Sequence, residues 1–364
     1  MKAAVVYKPN APMEIVEVEQ QPPQAGEARV KVKATGVCHS DWHIINGDWP
    51  VPLPMVCGHE AAGIVEEVGP AVTRVRPGQH VVFSFRPQCG RCAACSSGRS
   101  ILCEGYDSPR WAMLDGTYRL RRNGEEIRQM ARLGTFAEHV VCAAEMLVPI
   151  REDMPWPQAA LIGCAVPTGV GAVALAARVE AGASVLVIGC GGVGLNCVQG
   201  ARIVGAGTIL AADLLDSKLA FATQFGATHT VNARRENVVE RARELTGGRG
   251  VDYAFDAIGS EATTLQIVEA IRPGGTAVIV GMAPAAARAP IAPYPMALQE
   301  KTLKGTLYGS VRPQVDFPRL VDLYMQGRLK LDELISRTYT LEEINKGFAA
   351  LTAGEVARGV VVFD

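Results

Sequence analysis

Four closely spaced cysteines are the first residues in this chain whose spacing suggests a metal site. Two residues separate Cys89 from Cys92 and Cys92 from Cys95, and seven separate Cys95 from Cys103. Four thiolates this close in sequence can surround one zinc ion tetrahedrally, which leaves no position open for a substrate. The spacing therefore predicts a structural zinc that holds a loop with little core of its own. An iron–sulfur cluster is the alternative, because the first three cysteines also match a ferredoxin spacing.

Two further cysteines and a histidine, far apart in the chain, are candidates for a second metal site. They are Cys38, His59 and Cys164. Taken singly, each is of a type that is more often a buried thiol or a structural histidine, and spacing alone does not join them. Two thiolates and an imidazole around one zinc ion would leave its fourth position open, which is the ligand set of a catalytic zinc.

A glycine-rich segment fits the dinucleotide-binding pattern G-x-G-x-x-G through Gly189, Gly191 and Gly194, with Gly192 and Val193 between the last two. The first glycine permits a tight turn, the second lets the backbone approach a pyrophosphate, and the third allows close packing of helix on strand. Asp213 follows at about the expected distance of roughly 20 residues and could accept both hydroxyls of the adenosine ribose. Because a carboxylate there would repel a 2′-phosphate, NAD is favoured over NADP. Lys218 could also reach the ribose, and a glycine-rich structural turn is the alternative interpretation.

The apolar pattern predicts the elements that must position these residues. Up to about Pro149 the chain predicts short strands and turns with few helices. Strands are expected at Ala28–Ala34, Gly63–Val68 and His80–Phe85. In the middle of the chain strands alternate with helices, which predicts a parallel, doubly wound sheet. The strands expected there are Val185–Ile188, Thr208–Asp213, Val251–Ala257 and Thr276–Val280, and the helices are Val193–Val204, Ser217–Phe225 and Glu261–Ile271.

The last part of the chain is mixed. The Pro- and Ala-rich stretch Ala283–Pro295 is predicted to be a loop, because proline at this density disfavours helix and central strand. Lys301–Gly309 is expected to be strand-like, Phe317–Gln326 a helix and Gly359–Phe363 a terminal strand.

Composition and charge exclude several function classes. Lys and Arg number 36 and Asp and Glu 37, for a formal net charge of −1. This balance gives no general attraction to nucleic acid or to an anionic membrane. Met1–Asn10 lacks the features of a secretory signal, and the longest apolar runs are too short to span a bilayer. We therefore expect a cytoplasmic protein with no nucleic-acid or membrane partner, whose ten cysteines are reduced.

Together these motifs resemble the zinc-dependent medium-chain alcohol dehydrogenases of the liver-type classical branch, nearly from end to end. The most specific pieces are Gly36–Asp41, Gly58–Glu60, the four-cysteine lobe and the glycine-rich segment with Asp213. The resemblance implies an α/β fold in three parts. A GroES-like, β-rich catalytic domain with the structural zinc lobe would occupy residues 1–165. A Rossmann NAD-binding domain with a doubly wound parallel sheet would occupy residues 166–309, and residues 310–364 would return to the catalytic domain.

The resemblance also implies roles for individual residues around the catalytic zinc. Cys38, His59 and Cys164 would be its ligands, and Glu60 would lie behind the metal as an occasional further ligand. Asp41 would hydrogen-bond His59 and fix its orientation.

Other residues match positions that contact substrate or cofactor in the family. Ser40 would contact the substrate oxygen and His43 would relay its proton. His39 replaces the arginine usual at a pyrophosphate contact, so NAD would be held less firmly. The remaining matches are cofactor contacts at Thr168, Val193, Val280 and Arg358, and pocket-lining positions at Trp49, Phe85 and Met282.

The implied reaction is hydride transfer between a primary alcohol, aryl and allylic alcohols included, and NAD, with two zinc ions per chain. The long loop Glu104–Leu133 and the strand-like Lys301–Gly309 resemble the dimeric branch, so a homodimer is expected. One alternative is an S-(hydroxymethyl)glutathione (formaldehyde) dehydrogenase. That branch carries an acidic stretch before Gly-His-Glu and an arginine soon after the last lobe cysteine, and Asn46–Val51 and Glu104–Asp107 lack both cues. The alternative of another class is a non-enzymatic, zinc-stapled nucleotide-binding protein.

Overall fold

The computed structural model describes all residues from Met1 to Asp364, and they form two compact units. The first unit consists of Met1–Cys164, Arg312–Gly327 and Leu331–Asp364, and the second of Ala165–Val311 and Arg328–Lys330. None of the helices is both long enough and apolar enough to cross a membrane.

The first unit is built mainly from strands. Its strands are β1 (Lys2–Val6), β2 (Glu14–Glu17), β3 (Glu19–Gln20), β4 (Glu27–Val37), β5 (Met55–Val56), β6 (Ala61–Val68), β7 (His80–Phe83), β8 (Leu120–Arg122), β9 (Glu125–Gln129), β10 (His139–Ala143) and β11 (Leu147–Pro149). The helices among them are α1 (His39–Ile45), α2 (Ala93–Ser96) and α3 (Trp156–Leu161).

The second unit alternates helix and strand. It contains α4 (Ala165–Gly171), β12 (Ser184–Ile188), α5 (Gly192–Ile203), β13 (Thr208–Asp213), α6 (Asp216–Phe225), β14 (His229–Asn232), α7 (Val238–Glu244), β15 (Val251–Asp256), α8 (Glu261–Ala270), β16 (Ile271–Ile279), α9 (Pro293–Leu298) and β17 (Thr302–Gly305). The chain then adds α10 (Pro313–Met325), β18 (Ile335–Tyr339), α11 (Ile344–Thr352) and β19 (Arg358–Val362) to the first unit.

Strand β4 organises the sheet that carries the metal-site residues of the first unit. This sheet has the order β11-β7-β6-β4-β19-β18, and β10 also pairs with β4. In its register Thr35 of β4 lies opposite Ala61 of β6, and Val37 lies opposite Gly359 of β19. The start of β6, the end of β4 and the start of β19 therefore lie side by side.

The second unit has one parallel sheet in the order β14-β13-β12-β15-β16-β17. Each strand is joined to the next by parallel pairing, as between Ser184 and Thr208. Buried aliphatic side chains of these strands pack on helices such as α8, which buries Ile267 and Ala270. The predicted doubly wound sheet is confirmed, and its predicted strands and helices lie within one residue of their expected bounds except β16, which begins at Ile271, five residues before the predicted start.

Three expectations about irregular segments need correction. The stretch Ala283–Pro295 is not a loop throughout, because α9 begins at Pro293. Proline is tolerated in a first helical turn, where the N–H groups have no intrahelical acceptor. The segment Glu104–Leu133 contains the antiparallel pair β8–β9. Lys301–Gly309 is a strand only over Thr302–Gly305, after which the chain turns at Gly309 with φ of 64°.

Candidate metal and nucleotide sites

Cys38 lies in the first unit at the junction between β4 and α1. It is the N-cap residue of the helix, with extended backbone angles φ −126° and ψ 149°, and its carbonyl accepts from the N–H of Asp41 at 3.1 Å. The side chain of Cys38 is buried, at 7% exposure. The short helix α1, which the sequence pattern did not reveal, thus follows the thiol immediately and presents Asp41 on its buried side.

His59 is oriented by Asp41. Oδ1 of Asp41 accepts the N–H of Gly58 at 2.8 Å and lies 3.2 Å from Nδ1 of His59. Because a carboxylate only accepts hydrogen bonds, Nδ1 carries a proton, and Nε2 is the ring nitrogen left to face the cysteines. Nε2 is 3.3 Å from Sγ of Cys164. The imidazole therefore presents a metal-ligating nitrogen to the cysteines.

Cys164 follows α3 in a turn that packs on the start of β6. A Cβ added to Gly163 would lie 3.0 Å from the carbonyl oxygen of Ala160 and 3.1 Å from the nitrogen of Ala61. A larger residue would push this turn away from the sheet. Glycine at position 163 therefore helps to bring Cys164 close to Cys38 and His59.

The ligand atoms of Cys38, His59, Glu60 and Cys164 all lie within 4.8 Å of one another, and all four residues are buried. A hydrogen bond from Cys164 and then one from His59 hold the pKa of the Cys38 thiol well below its usual value, against the opposing effect of burial. The same sharing of a proton raises the pKa of Cys164 well above its usual value. A thiolate beside a thiol and a buried imidazole is a donor set suited to zinc, which would displace the shared proton.

Glu60 and Arg358 form a buried ion pair behind this cluster, joining Oε2 to Nη2. The strand register explains it, since Gly36 on β4 lies between them. A Cβ on Gly36 would be 2.8 Å from Cδ of Glu60 and 3.0 Å from Nη2 of Arg358. Burial lowers the pKa of Arg358, but Glu60 and the thiols outweigh this and raise it. The guanidinium thus faces a carboxylate in this structure, and its expected phosphate contact stays a prediction.

The four-cysteine lobe brings its sulfur atoms to tetrahedral spacing. The Sγ atoms of Cys89 and Cys95 are 4.0 Å apart and those of Cys92 and Cys103 are 3.9 Å apart. A tetrahedral zinc site with Zn–S bonds of about 2.3 Å separates its sulfurs by about 3.8 Å. All four ligand atoms lie within 4.8 Å of one another. The residues therefore fit a fully protein-liganded metal ion.

Backbone N–H groups point at the sulfurs of this lobe. Cys92 N donates to Sγ of Cys89 at 3.3 Å, and Cys95 N donates to Sγ of Cys92 at 3.5 Å. Hydrogen bonds from the backbone of Glu104 and of Cys95 lower the pKa of Cys92 to about 6. Such donors favour the thiolate that a metal requires. The sequence pattern missed Gly105, whose added Cβ would lie 2.5 Å from Sγ of Cys89.

The glycine-rich segment of the second unit forms the turn between β12 and α5. Gly189 has φ of 94°, and a Cβ on Gly194 would lie 1.7 Å from the carbonyl oxygen of Gly189. A Cβ on Gly191 would meet no atom within 4 Å. The turn therefore leaves open space above Gly191, at the N-terminus of a twelve-residue helix. Free N–H groups and the positive end of the helix dipole at this place suit a phosphate.

Asp213 ends β13 beside this turn. Its Oδ2 accepts the N–H of Cys190 at 2.8 Å, and its Oδ1 accepts those of Leu214 at 2.7 Å and Leu215 at 3.1 Å. The backbone thus holds the carboxylate next to the glycine-rich segment, with lone pairs left over for hydroxyl groups. Lys218 is half-buried in the first turn of α6, five residues after Asp213.

Comparison with known proteins identifies the family of the chain. The model of the alcohol dehydrogenase GroES-like domain matches residues 24–152, and that of the zinc-binding dehydrogenases matches residues 192–326. An NDMA-dependent alcohol dehydrogenase of Amycolatopsis methanolica is 42% identical over 99% of this chain and 98% of its own length. The chain belongs to the zinc-dependent medium-chain alcohol dehydrogenases. It is therefore an enzyme of alcohol and aldehyde oxidoreduction.

Two other members of the family show the range of named substrates. The S-(hydroxymethyl)glutathione dehydrogenase of Paracoccus denitrificans is 40% identical, over all of this chain and 99% of that protein. The crystal structure of the benzyl alcohol dehydrogenase of Acinetobacter calcoaceticus is 32% identical, covers all of this chain and 99% of that one, and superposes with a TM-score of 0.94. The α/β fold with a GroES-like and a Rossmann-type part is thus confirmed.

In this alcohol dehydrogenase fold, the residues expected to handle substrate gather near α1. Ser40 is half-buried in the first turn of that helix. Nδ1 of His43 lies 2.8 Å from Oδ2 of Asp48. The His43 ring stacks on the Trp49 ring, with 4.7 Å between the ring centroids. The His43 hydrogen bond lowers the pKa of Asp48, a partner that the sequence pattern did not indicate. Phe85 packs edge-on against the His59 ring at 5.4 Å.

The remaining predicted positions are dispersed over the two units. His39 is exposed at the start of α1. In the second unit Thr168 lies in α4, Val193 is in the first turn of α5, and Val280 is buried at 5% exposure just after β16. Met282 is 55% exposed. The roles of these residues toward cofactor and substrate stay predictions.

Proposed function

We propose that this enzyme oxidises primary alcohols, or reduces the matching aldehydes, with NAD and a zinc ion held by Cys38, His59 and Cys164. The single observation that carries the proposal is the convergence of two thiols and one imidazole nitrogen, far apart in sequence, into one buried cluster. Three protein ligands leave a fourth position for the substrate oxygen. A zinc ion there would supply Lewis acidity, which lowers the pKa of an alcohol hydroxyl.

The protein's own residues would position the metal ligands and move the proton. Asp41 holds His59 with Nε2 toward the cysteines, as its 3.2 Å contact supports. Ser40 would accept the substrate proton and His43 would pass it on to solvent. Support for the second role comes from Asp48, whose Oδ2 lies 2.8 Å from Nδ1 of His43 and so holds the ring in place. Glu60, paired with Arg358, is the candidate for an occasional further ligand.

The preference for NAD over NADP rests on Asp213. Its carboxylate is held beside the glycine-rich turn by three backbone N–H groups. A carboxylate there accepts ribose hydroxyls and repels a 2′-phosphate. One relative is named as NDMA-dependent, so NDMA belongs among the electron acceptors that are compared with NAD.

The sulfur geometry of the four-cysteine lobe supports a second, structural zinc ion. We therefore propose two zinc ions per chain. Because the chain belongs to a family of zinc-binding dehydrogenases, we favour zinc over an iron–sulfur cluster at this lobe. The same membership argues against a non-enzymatic, zinc-stapled protein.

We also propose that the enzyme is a homodimer formed through the second unit. Strand β17 lies at the edge of the parallel sheet and pairs only with β16. Tyr294 and Leu298, one helical turn apart on α9, are 75% and 67% exposed. An unpaired strand edge beside exposed apolar side chains is a surface that a second copy can cover.

The decisive experiment combines metal analysis with a substrate and acceptor panel. Purified enzyme should contain two zinc ions per chain and oxidise primary and aryl alcohols with NAD faster than with NADP or NDMA. Cys38→Ser and His59→Ala should abolish turnover and remove one zinc ion while the circular dichroism spectrum is kept. Turnover retained by either variant with one zinc ion lost would refute the assignment of the catalytic metal.

A second candidate substrate is S-(hydroxymethyl)glutathione, because a relative with that name is 40% identical over its whole length. Formaldehyde with glutathione should be compared with formaldehyde alone and with benzyl alcohol. A kcat/KM for the glutathione adduct well above that for benzyl alcohol would favour this candidate.

A further inference from the structure

Two buried threonine hydroxyls lie next to the segment that carries His59. Thr35 lies on β4 and Thr135 lies between β9 and β10, and both residues are buried at 0% exposure. Their Oγ1 atoms are 2.7 Å apart, and Oγ1 of Thr35 is 3.1 Å from the carbonyl oxygen of Glu60. Because a buried hydroxyl is unfavourable without a hydrogen bond, these contacts determine how both side chains are oriented.

The number of protons gives this hydroxyl chain a direction. A threonine hydroxyl has a single proton, and a carbonyl oxygen only accepts hydrogen bonds. Thr35 therefore donates its proton to the carbonyl of Glu60 and accepts the proton of Thr135. The hydroxyl chain thus runs from Thr135 through Thr35 to the backbone of Glu60.

Hydrogen bonds from the same two residues hold the backbone on both sides of His59. On the C-terminal side, the carbonyl of Glu60 accepts from the Thr35 hydroxyl and also, at 2.7 Å, from the backbone N–H of the next residue of β4. On the N-terminal side, the carbonyl of Gly58 accepts from the backbone N–H of Thr135 at 3.0 Å. The residues before and after the proposed zinc ligand are therefore both bonded to this pair of threonines.

Thr135 also occupies the space that a side chain at position 58 would need. Gly58 has φ of 96°, and a Cβ added to it would lie 2.5 Å from Oγ1 of Thr135. The N–H of Gly58 donates to Oδ1 of Asp41 at 2.8 Å. The turn that leads into His59 therefore lies between the Asp41 carboxylate and the Thr135 hydroxyl.

Support of the sheet is the other role that the two hydroxyls could have. Strands β4 and β6 pair from Ala28 opposite Val68 to Thr35 opposite Ala61, and this pairing uses backbone groups alone. Replacing both partners of a buried hydrogen bond by apolar groups of the same shape can leave stability nearly unchanged. The sheet therefore does not need the hydroxyls, whereas the carbonyl of Glu60 gains a second donor from them.

We propose that Thr35 and Thr135 are positioning residues of the catalytic metal site, because their hydroxyl chain fixes the backbone on both sides of His59. This inference rests on the proposed function and adds two residues to it. Asp41 orients the imidazole ring, and the threonines set the place of the backbone that carries the ring. Hydrogen bonds that orient a metal ligand typically change metal affinity by about 10- to 100-fold.

The test separates the hydroxyls from the shape of the side chains, since valine matches threonine in shape and serine keeps the hydroxyl. In the double variant Thr35→Val with Thr135→Val, the carbonyl of Glu60 keeps its bond from the β4 backbone. We expect this variant to keep its Tm and to bind the catalytic zinc about tenfold more weakly. Thr35→Ser loses a buried methyl group, so its Tm should fall while its zinc affinity stays within about twofold.

Two metal readings measure these effects without an activity assay. Competition with a chromophoric chelator gives the zinc affinities, and Cys38→Ser enzyme, which should keep only the lobe ion, identifies the catalytic one. Cobalt(II) in place of zinc reports geometry, because its d–d and thiolate charge-transfer bands respond to the arrangement of the ligands. We expect the bands to shift in the double valine variant and to match those of the unaltered enzyme in Thr35→Ser.

Thr264→Val in the second unit is the matched control. Thr264 is 7% exposed, and its hydroxyl donates to Oδ2 of the buried Asp256 at 2.9 Å. Removing a hydrogen bond to a buried carboxylate should lower Tm and leave both zinc affinities unchanged. Weaker catalytic zinc in this variant would mean that lower stability alone loosens the metal, which overturns the assignment to the hydroxyl chain.

The remaining outcomes separate the possible failures. Unchanged zinc affinity and cobalt bands in the double valine variant overturn the inference, as does an equal loss of affinity in Thr35→Ser. If the double variant does not fold, Thr35→Val compared with Thr35→Ser gives the same decision. Normal zinc binding without turnover of any alcohol refutes the proposed function, and zinc affinity still decides the inference. Zinc bound only at the four-cysteine lobe of the unaltered enzyme overturns both.

Discussion

Oδ1 of Asp41 lies 3.2 Å from Nδ1 of His59 and also accepts the N–H of the preceding Gly58 at 2.8 Å. One carboxylate oxygen thereby fixes both the tautomer of the imidazole and the backbone that carries it. Oδ2 of Asp41 is buried without a hydrogen-bond partner. The hydrogen bond that orients Nδ1 of the proposed zinc ligand therefore uses a single carboxylate oxygen.

Asp41→Asn tests this dependence. The amide oxygen is a weaker acceptor than the carboxylate, and the amide NH2 group can turn toward the N–H of Gly58, from which it cannot accept a hydrogen bond. We therefore expect zinc affinity or kcat/KM to fall by about 10- to 100-fold. Zinc titration followed by the alcohol assay would measure both quantities. Asp48→Asn is the comparison, because it should slow the reaction through His43 and leave the zinc content unchanged. Equal zinc affinity in Asp41→Asn and the unaltered enzyme would contradict the proposed positioning.

Gly105→Ala tests the packing of the four-cysteine lobe. Its Cβ would lie 2.5 Å from Sγ of Cys89, so the sulfur must move and the tetrahedral spacing is lost. We expect loss of one zinc ion per chain and a lower Tm, as for Cys92→Ala. Gly305→Ala, which lies in the second unit, is the control for zinc content, since a Cβ there would meet nothing within 4 Å. An unchanged zinc content in Gly105→Ala would show that the lobe tolerates the shift.

The glycine-rich turn offers a pair of substitutions with opposite expected effects. Gly191→Ala adds a methyl group in open space, so the fold should keep its Tm while NAD binding weakens, because the pyrophosphate would need that space. Gly194→Ala places its Cβ 1.7 Å from the carbonyl oxygen of Gly189 and should lower Tm markedly. Calorimetric titration with NAD and thermal unfolding would measure the two effects. Undiminished NAD affinity in Gly191→Ala would place the cofactor elsewhere.

Asp213→Ser should change the cofactor preference. Removing the carboxylate removes both a hydrogen-bond acceptor for the ribose and the repulsion of a 2′-phosphate. We expect KM for NAD to rise by about tenfold, which corresponds to about 1.4 kcal/mol, and KM for NADP to fall. Because the carboxylate also accepts backbone N–H groups, Tm must be measured alongside. A parallel rise of both KM values with a lower Tm would indicate a purely structural role.

Local sequence patterns were sufficient for much of this protein. The four cysteines of the lobe and the glycine-rich turn are encoded by short-range spacing, and their predicted placement on loop and strand–turn–helix agrees with the structure. The long strand β4 and the alternating elements of the second unit were likewise predictable from apolar periodicity. Short elements such as α1 were missed, because a seven-residue helix is too short to show a clear period.

What the tertiary structure alone decided is the meeting of residues that are distant along the chain. Strand register places Glu60, Cys38 and Arg358 side by side, and it requires glycine at position 36 to make room for the ion pair. Spacing in sequence reports contacts within a turn or a strand, whereas contacts between strands depend on pairing and packing of the whole unit. The residue types were therefore readable from the sequence, and their partners were set by the fold.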